Sequence, residues 1–381
     1  MDFELTKAQE QFRKTIRGFT ENEIRPIAGA VDRYEATVDD NIKKLAALHI
    51  NGIAIPVEEG GAGGDHVCYA IACEEVAKAC TSTATLVSAK LAGLLIEMLY
   101  YYGTPAQKEK YLQPFLQGEL EGCFGLTEPE AGSDPGRLCT TAIKDGSNYI
   151  INGTKTFITG APLADFAIVM ASTNKSLGTK GITAFLVDCD TPGFSKGKPE
   201  QKMGQRGLPV GELIMKNVVV PETAIIGKEG MGFRLAMKSL DCGRLGIASV
   251  ALGIAEGAYE AAVKYSKERV QFGAPICNNQ AIQFMLTDMK MRIDAAQLLV
   301  YRAAVSKDKG SSSFPFEASM AKVYASEVAM FVTTKAVQIH GGYGYMNDYP
   351  VERMMRDAKL TEIYEGTSEI QRMVLARTIL K

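Results

Sequence analysis

The chain has 381 residues, 46% of them hydrophobic, and 42 basic side chains against 44 acidic ones give a net charge of −2. That length fits two or three domains with a large interior, and the near-neutral balance, with no basic tract or arm, argues against nucleic acid as a partner. Eight cysteines with no Cys-x-x-Cys pair and no secretory signal read as free thiols in a reducing cytoplasm, and three scattered histidines (His49, His66, His340) give little support to a metal site or a histidine-activated nucleophile.

Met1–Leu5 leads straight into structure, because Thr6 and Gln9 after Leu5 have the form of a capping box with a hydrophobic staple. No transit peptide and no apolar run of about 18 residues is visible, which fits a cytoplasmic protein or a mature organellar form, with no membrane span. Residues 1–119 read as mostly helical, with Phe12, Ile16 and Phe19 at helical spacing. A glycine-rich loop covers 56–65 (PVEEGGAGGD), and helical patterns follow over 66–78 and 84–102. Residues 120–227 change to short β-type runs. Tyr149–Ile151 and Lys155–Ile158 flank Asn152-Gly153, the strongest short hairpin signal, and 166–171, 182–187 and 213–220 are further strands between turns. Helices return over 232–267, 278–309, 316–340 and 350–379, four long stretches that predict a bundle. Ala and Gly in the first of them allow close helix approach, and the breadth of the apolar faces favours self-association. The predicted class is α+β, mostly α: an N-terminal helical domain (1–119), a middle β-domain (120–227) and a C-terminal four-helix bundle (228–381).

Five segments could carry chemistry. Leu126–Asp134 (LTEPEAGSD) puts hydroxyls and a glycine on a loop at the entry to the β-domain, suited to a polar heterocycle or an amide chain, and equally an ordinary turn. In Phe157-Ile158-Thr159-Gly160, an aromatic two residues before a threonine shares its strand face and could cover a flat ring and bond its edge; a core Phe and a turn Thr is the plainer reading. Arg269, in Glu268–Gly273 (ERVQFG), has the planar fork of a phosphate ligand, or is a solvated charge favoured at a helix C-terminus. Gln338–Gly344 (QIHGGYG) could bring backbone N–H groups near a pyrophosphate, or simply end a helix. It is not Gly-x-Gly-x-x-Gly and follows a helix, which excludes a Rossmann site. Finally, Tyr364–Gln371 (YEGTSEIQ) sets the Glu365 carboxylate between an aromatic ring and a glycine just before a helix. An apolar neighbour raises a carboxylate's pKa and a glycine admits a flat partner, the setting of a base for a weakly acidic C–H; a dipole-stabilised helix N-terminal acid is the alternative.

Taken together, the tokens LTEPEAGSD, FITG, KMGQRG, YSKERVQFG, QIHGGYGY, RDAK and IYEGTSEIQR resemble the acyl-CoA dehydrogenase family, from Leu5 to about Ile379, and within it the short-chain, butyryl-CoA-type bacterial members. The resemblance implies the three-part fold, with an antiparallel, barrel-like middle domain, a homotetramer, and noncovalent FAD between the β-domain and the C-terminal bundle. It assigns Thr127 and Thr159 to the isoalloxazine edge and Phe157, often Trp in the family, to ring packing. Arg269 and Phe272 match residues that reach a neighbouring subunit's FAD, Gln280 an adenine-side contact, and Gln338, Gly341 and Gly342 the adenosine–pyrophosphate loop. Thr367 lies beside the base and helps fix the cofactor. Ser133, Asp241 and Arg244 match positions along the CoA path, and Tyr364 packs over the base. Glu365 matches the base that takes the α-proton while a hydride leaves the β-carbon for flavin N5. The implied reaction converts a short acyl-CoA thioester to the trans-2-enoyl-CoA, or runs in reverse as an enoyl-CoA reduction, with electrons passing to electron-transferring flavoprotein.

Three features depart from the family pattern. Pro135-Gly136-Arg137-Leu138 and Leu208-Pro209-Val210 stand where relatives usually differ. Lys90 lies in an apolar run on the helix that closes the acyl pocket in relatives; it reads as a lysine snorkelling to the surface, or as one that, like Arg137, meets a polar or carboxylated acyl tail.

Overall fold

The computed structural model describes residues 4–48 and 50–381. Met1–Phe3 and His49 lie outside the described residues. The first helix, α1 (Lys7–Phe19), starts with the expected capping box: the Thr6 hydroxyl accepts from Gln9 N–H at 3.3 Å and the Gln9 side chain accepts from Thr6 N–H at 3.0 Å. Two short helices follow, α2 (Ala28–Asp32) and α3 (Asp39–Ala46). After the glycine-rich loop, α4 (His66–Ala77) is capped by Asp65, which accepts from Cys68 N–H at 2.7 Å, and is buried on nearly every side. The pattern over 84–102 resolves into two helices, α5 (Thr81–Ala92) and α6 (Leu94–Tyr102), because Gly93 between them is extended. The short α7 (Pro105–Gln107) and α8 (Gln113–Gln117) lead to the sheet.

The strands are β1 (Gly122–Gly125), β2 (Thr141–Asp145), β3 (Asn148–Thr159), β4 (Phe166–Ser172), β5 (Ile182–Asp188), β6 (Phe194–Lys196) and β7 (Val210–Pro221). They form one seven-stranded sheet in the order β1-β4-β2-β3-β7-β6, with β5 on β4. The ladders are antiparallel except that β4 pairs parallel to β1 and, by one residue pair, to β2. The hairpin expected at Asn152-Gly153 is elsewhere. Its turn is Gly146-Ser147, between β2 and β3, and Asn152-Gly153 lies inside β3 at a register shift against β7. Glycine is needed there for approach, since a Cβ on Gly153 would lie 2.3 Å from Thr140 Oγ1.

The helical C-terminal part comprises α9 (Gly232–Glu268), α10 (Gln280–Asp308), α11 (Phe314–His340), α12 (Val351–Thr361) and α13 (Ser368–Ile379). The fourth predicted stretch, 350–379, is thus two helices, and the break between them carries Glu365. One hydrophobic core runs through α1, α4, α9, α10 and α11, so N-terminal and C-terminal helices share an interior. A second core joins α6, α8 and the start of α9 to one face of the sheet, and a third fills the other face. Thr81–Tyr102 and Gly232–Glu268 are long and apolar enough to cross a membrane, but 83% and 72% of their most apolar windows are buried inside the fold, as core helices are. Lys90 does not snorkel. It is buried on α5, with its ammonium 2.8 Å from Glu121 and over the Phe115 ring.

Candidate active site

The break between α12 and α13 is a tight turn built around two left-handed residues, Glu365 at φ +52° and Gly366 at φ +96°. Glycine tolerates that conformation; for a glutamate it is uncommon and needs support from its surroundings. The support is visible. Gln371, buried on α13, donates to Glu365 O at 3.0 Å and to Gly366 O at 3.2 Å. Lys322, buried on α11, donates to Gly366 O at 2.7 Å. Thr367 caps α13 by accepting from Ile370 N–H at 3.3 Å. Among the described residues the Glu365 backbone N–H donates to no acceptor, so it is free for a ligand.

The Glu365 carboxylate faces α9. A Cβ on Gly243 would lie 2.0 Å from Glu365 Oε2, so only glycine leaves room for it. Oε2 is buried and has no hydrogen-bond partner among the described residues. Burial pushes the carboxyl up to about 7, against the opposing pull of the Arg244 and Lys322 charges. One turn further along α9, a Cβ on Gly246 would lie 2.0 Å from Tyr69 Oη and 2.2 Å from Ser88 Oγ, and those hydroxyls are 2.8 Å apart. Glycines three residues apart are about 4.5 Å apart along a helix axis. The carboxylate therefore sits at one end of a short bare stretch of α9, and a buried hydroxyl pair stands at the other.

Tyr364 Oη lies 3.5 Å from Thr85 Oγ1 on α5, and Thr85 donates to Gln205 Oε1 at 3.0 Å. Gln205 N–H in turn bonds the Asp357 carboxylate, so the KMGQRG segment braces the turn from outside. Arg244 is ion-paired with Asp241 at 2.6 Å and lies 3.4 Å from Ser319 Oγ.

On the β side, Thr127 and Glu128 are fastened to β3. Thr156 N–H donates to Thr127 O at 2.9 Å, and the fully buried Lys155 ammonium is 2.7 Å from Glu128 Oε1. The same carboxylate accepts from Thr140 N–H at 2.9 Å and from Cys139 N–H. The simple alternation expected for Phe157 and Thr159 fails, because the β3–β7 register shifts between Lys155 and Ile158 and Phe157 adopts φ +57°. The bulge turns Phe157 outward to 69% exposure beside the half-buried Thr127 and Thr159 segments. Ser133 is exposed on the same loop, and Arg137 is exposed after it.

A second region lies at the far ends of α9 and α11. Tyr265, Arg269, His340, Gly341, Gly342 and Tyr343 line a cleft of about 560 Å³, with the Arg269 guanidinium 5.5 Å from the centre of the Tyr343 ring. Phe272 projects from the adjoining turn fully exposed, at φ +51°. Gln280 and Gln338 are exposed on α10 and α11. The candidate cofactor residues thus form two groups, Thr127, Phe157, Thr159 and Thr367 in one, and Arg269, Phe272, Gln280, Gln338, Gly341 and Gly342 in the other. An outward aromatic on a bulge, a cleft walled by an arginine and exposed glycines, and a fully exposed Phe272 fit an extended group with a flat ring at one end and phosphates at the other.

Lys322, Gln371, Gly243, Gly246 and the Lys155–Glu128 pair escaped the sequence reading. Glu128 and Gln371 stood within quoted motifs without a role. Lys322 had one signal, a lone charge in the apolar run Met320–Val323 of a helix. His66, Glu97 and Cys242 also place ligand-type atoms within 4.8 Å of one another, but Lys307 already holds Glu97 at 2.9 Å and Asp308 holds His66 at 2.6 Å.

Comparison with known proteins agrees with this arrangement. Three family models match in chain order: the acyl-CoA dehydrogenase N-terminal domain over residues 6–119, the middle domain over 123–218 and the C-terminal domain over 230–380. The chain is 49% identical over its full length, and over the full length of the relative, to a short-chain specific acyl-CoA dehydrogenase of Clostridium acetobutylicum. The butyryl-CoA dehydrogenase structure from Megasphaera elsdenii superposes with a TM-score of 0.97 at 47% identity, covering 100% of both chains. A chain solved in work on the electron transferring flavoprotein of Acidaminococcus fermentans and flavin-based electron bifurcation also gives a TM-score of 0.97 at 47% identity, with 100% of both chains covered.

Proposed function

The chain belongs to the acyl-CoA dehydrogenase family, and from that premise we propose that it oxidises short-chain acyl-CoA thioesters to trans-2-enoyl-CoA with Glu365 as the base. One observation carries the assignment: a carboxylate sunk against Gly243, unpaired and raised to about 7, in a turn whose own N–H is free. A base with a pKa near the working pH is best placed to take a proton. The free Glu365 N–H would hold the thioester carbonyl, where charge develops as the α-proton leaves, and bonds of that kind acidify the α-carbon. Tyr364, anchored through Thr85 and Gln205, keeps water from the carboxylate.

The enzyme is a flavoprotein that uses FAD, which when bound supplies the hydride acceptor. Thr127, Phe157, Thr159 and Thr367 would hold its ring end, with Arg269, Phe272, Gln280, Gln338, Gly341 and Gly342 for its phosphate and adenine end. Ser133, Asp241 and Arg244 would line the CoA path. The hydroxyl pair Tyr69–Ser88, one helical turn from Glu365, supports a shallow acyl pocket and so a short chain. The same groups serve the reverse reduction.

The protein works in this reading as a homotetramer that passes electrons to electron-transferring flavoprotein in the cytoplasm. Self-association is supported by Phe284, Met291, Leu298 and Val305, four exposed apolar residues at heptad spacing on α10. All eight cysteines are free, which suits a reducing compartment. The test is anaerobic mixing of the FAD-loaded protein with butyryl-CoA. The flavin should bleach, and Glu365→Gln should keep its flavin while bleaching slows by about 10²–10⁴-fold or more. Bleaching of that variant at the wild-type rate would refute the assignment of the base.

A further inference from the structure

Lys322 is an unusual group to find where it is. Its side chain is fully buried on α11, 44 residues from the turn it touches, and its ammonium makes one hydrogen bond, to Gly366 O at 2.7 Å. An ammonium has three donors to satisfy. Among the described residues no carboxylate lies within ion-pair distance of it. Burying a charge against a single backbone carbonyl is unfavourable for folding. Its target is the carbonyl of Gly366, the second residue of the left-handed turn.

We infer that Lys322 is a positioning residue for the reaction: its ammonium clamps the Gly366 carbonyl so that the Glu365–Gly366 turn stays left-handed, and its charge favours the ionised form of the buried Glu365 carboxyl. The inference rests on the reading of Glu365 as the base. Clamping acts on geometry. Held by Lys322 on one side and Gln371 on the other, the two carbonyls of the turn cannot rotate, which points the Glu365 carboxylate at Gly243 and leaves its N–H free. The charge acts on ionisation. Glu365 is faced by Arg244 from α9 and by Lys322 from α11, with the neutral Tyr69 and Cys242 close by on α4 and α9 and Tyr364 on its own turn. Lys322 is faced by Glu365, by Arg244 and, more weakly, by Glu362 and Glu369. Arg244 is already neutralised by Asp241 at 2.6 Å. Among the described residues Lys322 is the positive charge facing Glu365 that has no carboxylate partner, and without it burial would keep Glu365 protonated further into the neutral range.

The experiment separates clamp from charge. Lys322→Gln keeps a donor for Gly366 O and loses the charge; Lys322→Met loses both. The FAD-loaded wild type and both variants are titrated with pH by infrared difference spectroscopy of the Glu365 carboxyl, assigned with Glu365→Gln, and flavin bleaching by butyryl-CoA is followed at the same pH values. Both variants should move the carboxyl midpoint upward by roughly one pH unit, the low end of what a nearby opposite charge imposes. Bleaching near pH 7 should slow by about fivefold in Lys322→Gln and return to the wild-type rate at high pH. A purely structural lysine would not produce a defect that high pH repairs. Lys322→Met should stay slow at high pH, because its turn is loose as well. If Lys322→Met does not fold, Lys322→Gln still decides. A carboxyl midpoint unchanged in Lys322→Gln overturns the inference. The infrared arm reads the effect of Lys322 on the Glu365 carboxyl, whereas wild-type bleaching in Glu365→Gln would count against the base itself.

Discussion

Two lysines, Lys155 in the β-domain and Lys322 in the helical part, are equally buried, and burial pulls both down to about 8. Their neighbourhoods are opposite. Lys155 has Glu128 at 2.7 Å, and that carboxylate also takes two backbone N–H bonds, so its pKa is lowered even though burial pushes the other way. Lys322 has only a carbonyl in reach, and the carboxylate it faces, Glu365, has an oxygen with no partner and is raised to about 7. The first pair is closed and serves as a latch between the LTEPEAGSD loop and β3. The second is held apart, and the separation leaves a carboxylate able to take a proton. Pairing makes a buried acid structural; withholding its partner makes it reactive, at some expense of stability.

The contrast can be broken at the latch first. Lys155→Met leaves Glu128 buried without its ammonium, and breaking such a pair destabilises by about 3–5 kcal/mol. A thermal melt should show a large fall in midpoint together with loss of FAD retention. A fall equivalent to less than about 1 kcal/mol would mean that the latch is no latch. The second prediction has the opposite sign. Glu365 is raised from its ordinary 4.5 to about 7 in the folded chain, so its ionisation opposes folding. That penalty is absent below the unfolded value, grows as pH rises from 4.5 to about 7, and is complete above 7, where it reaches about 3 kcal/mol. Glu365→Gln should therefore raise the melting midpoint at alkaline pH and leave it unchanged near pH 4. A lower midpoint for the variant above neutrality would put Glu365 among the stabilising carboxylates and erase the distinction from Glu128.

What was legible in the sequence was local. The Thr6–Gln9 capping box, the glycine-rich loop and the order of helical, β and helical segments follow from neighbours in the chain. Glu365 was legible for the same reason, since its ring, its glycine and the helix after it are contiguous. The misses are long-range or depend on backbone detail. Lys322 meets Gly366 across 44 residues, and nothing in its own helix announces that contact. Lys155 reads as a strand residue until its partner across 27 residues is known. Asn152-Gly153 has the composition of a hairpin turn, but the close approach of Thr140 uses that glycine for a bulge. Lys90 reads as a surface lysine until Glu121 arrives from the start of the sheet. Phe157 obeys strand alternation on paper and loses it to the same irregular β3–β7 ladder.

The central claim is that Glu365 is a base tuned by burial. The most direct measurement is the pH dependence of single-turnover flavin bleaching by butyryl-CoA in the wild type. The rate should rise with pH through one ionisation at about 7, the value to which burial pushes Glu365. A profile flat across about pH 5 to 9, or one whose midpoint sits at an ordinary carboxylate value, would contradict it.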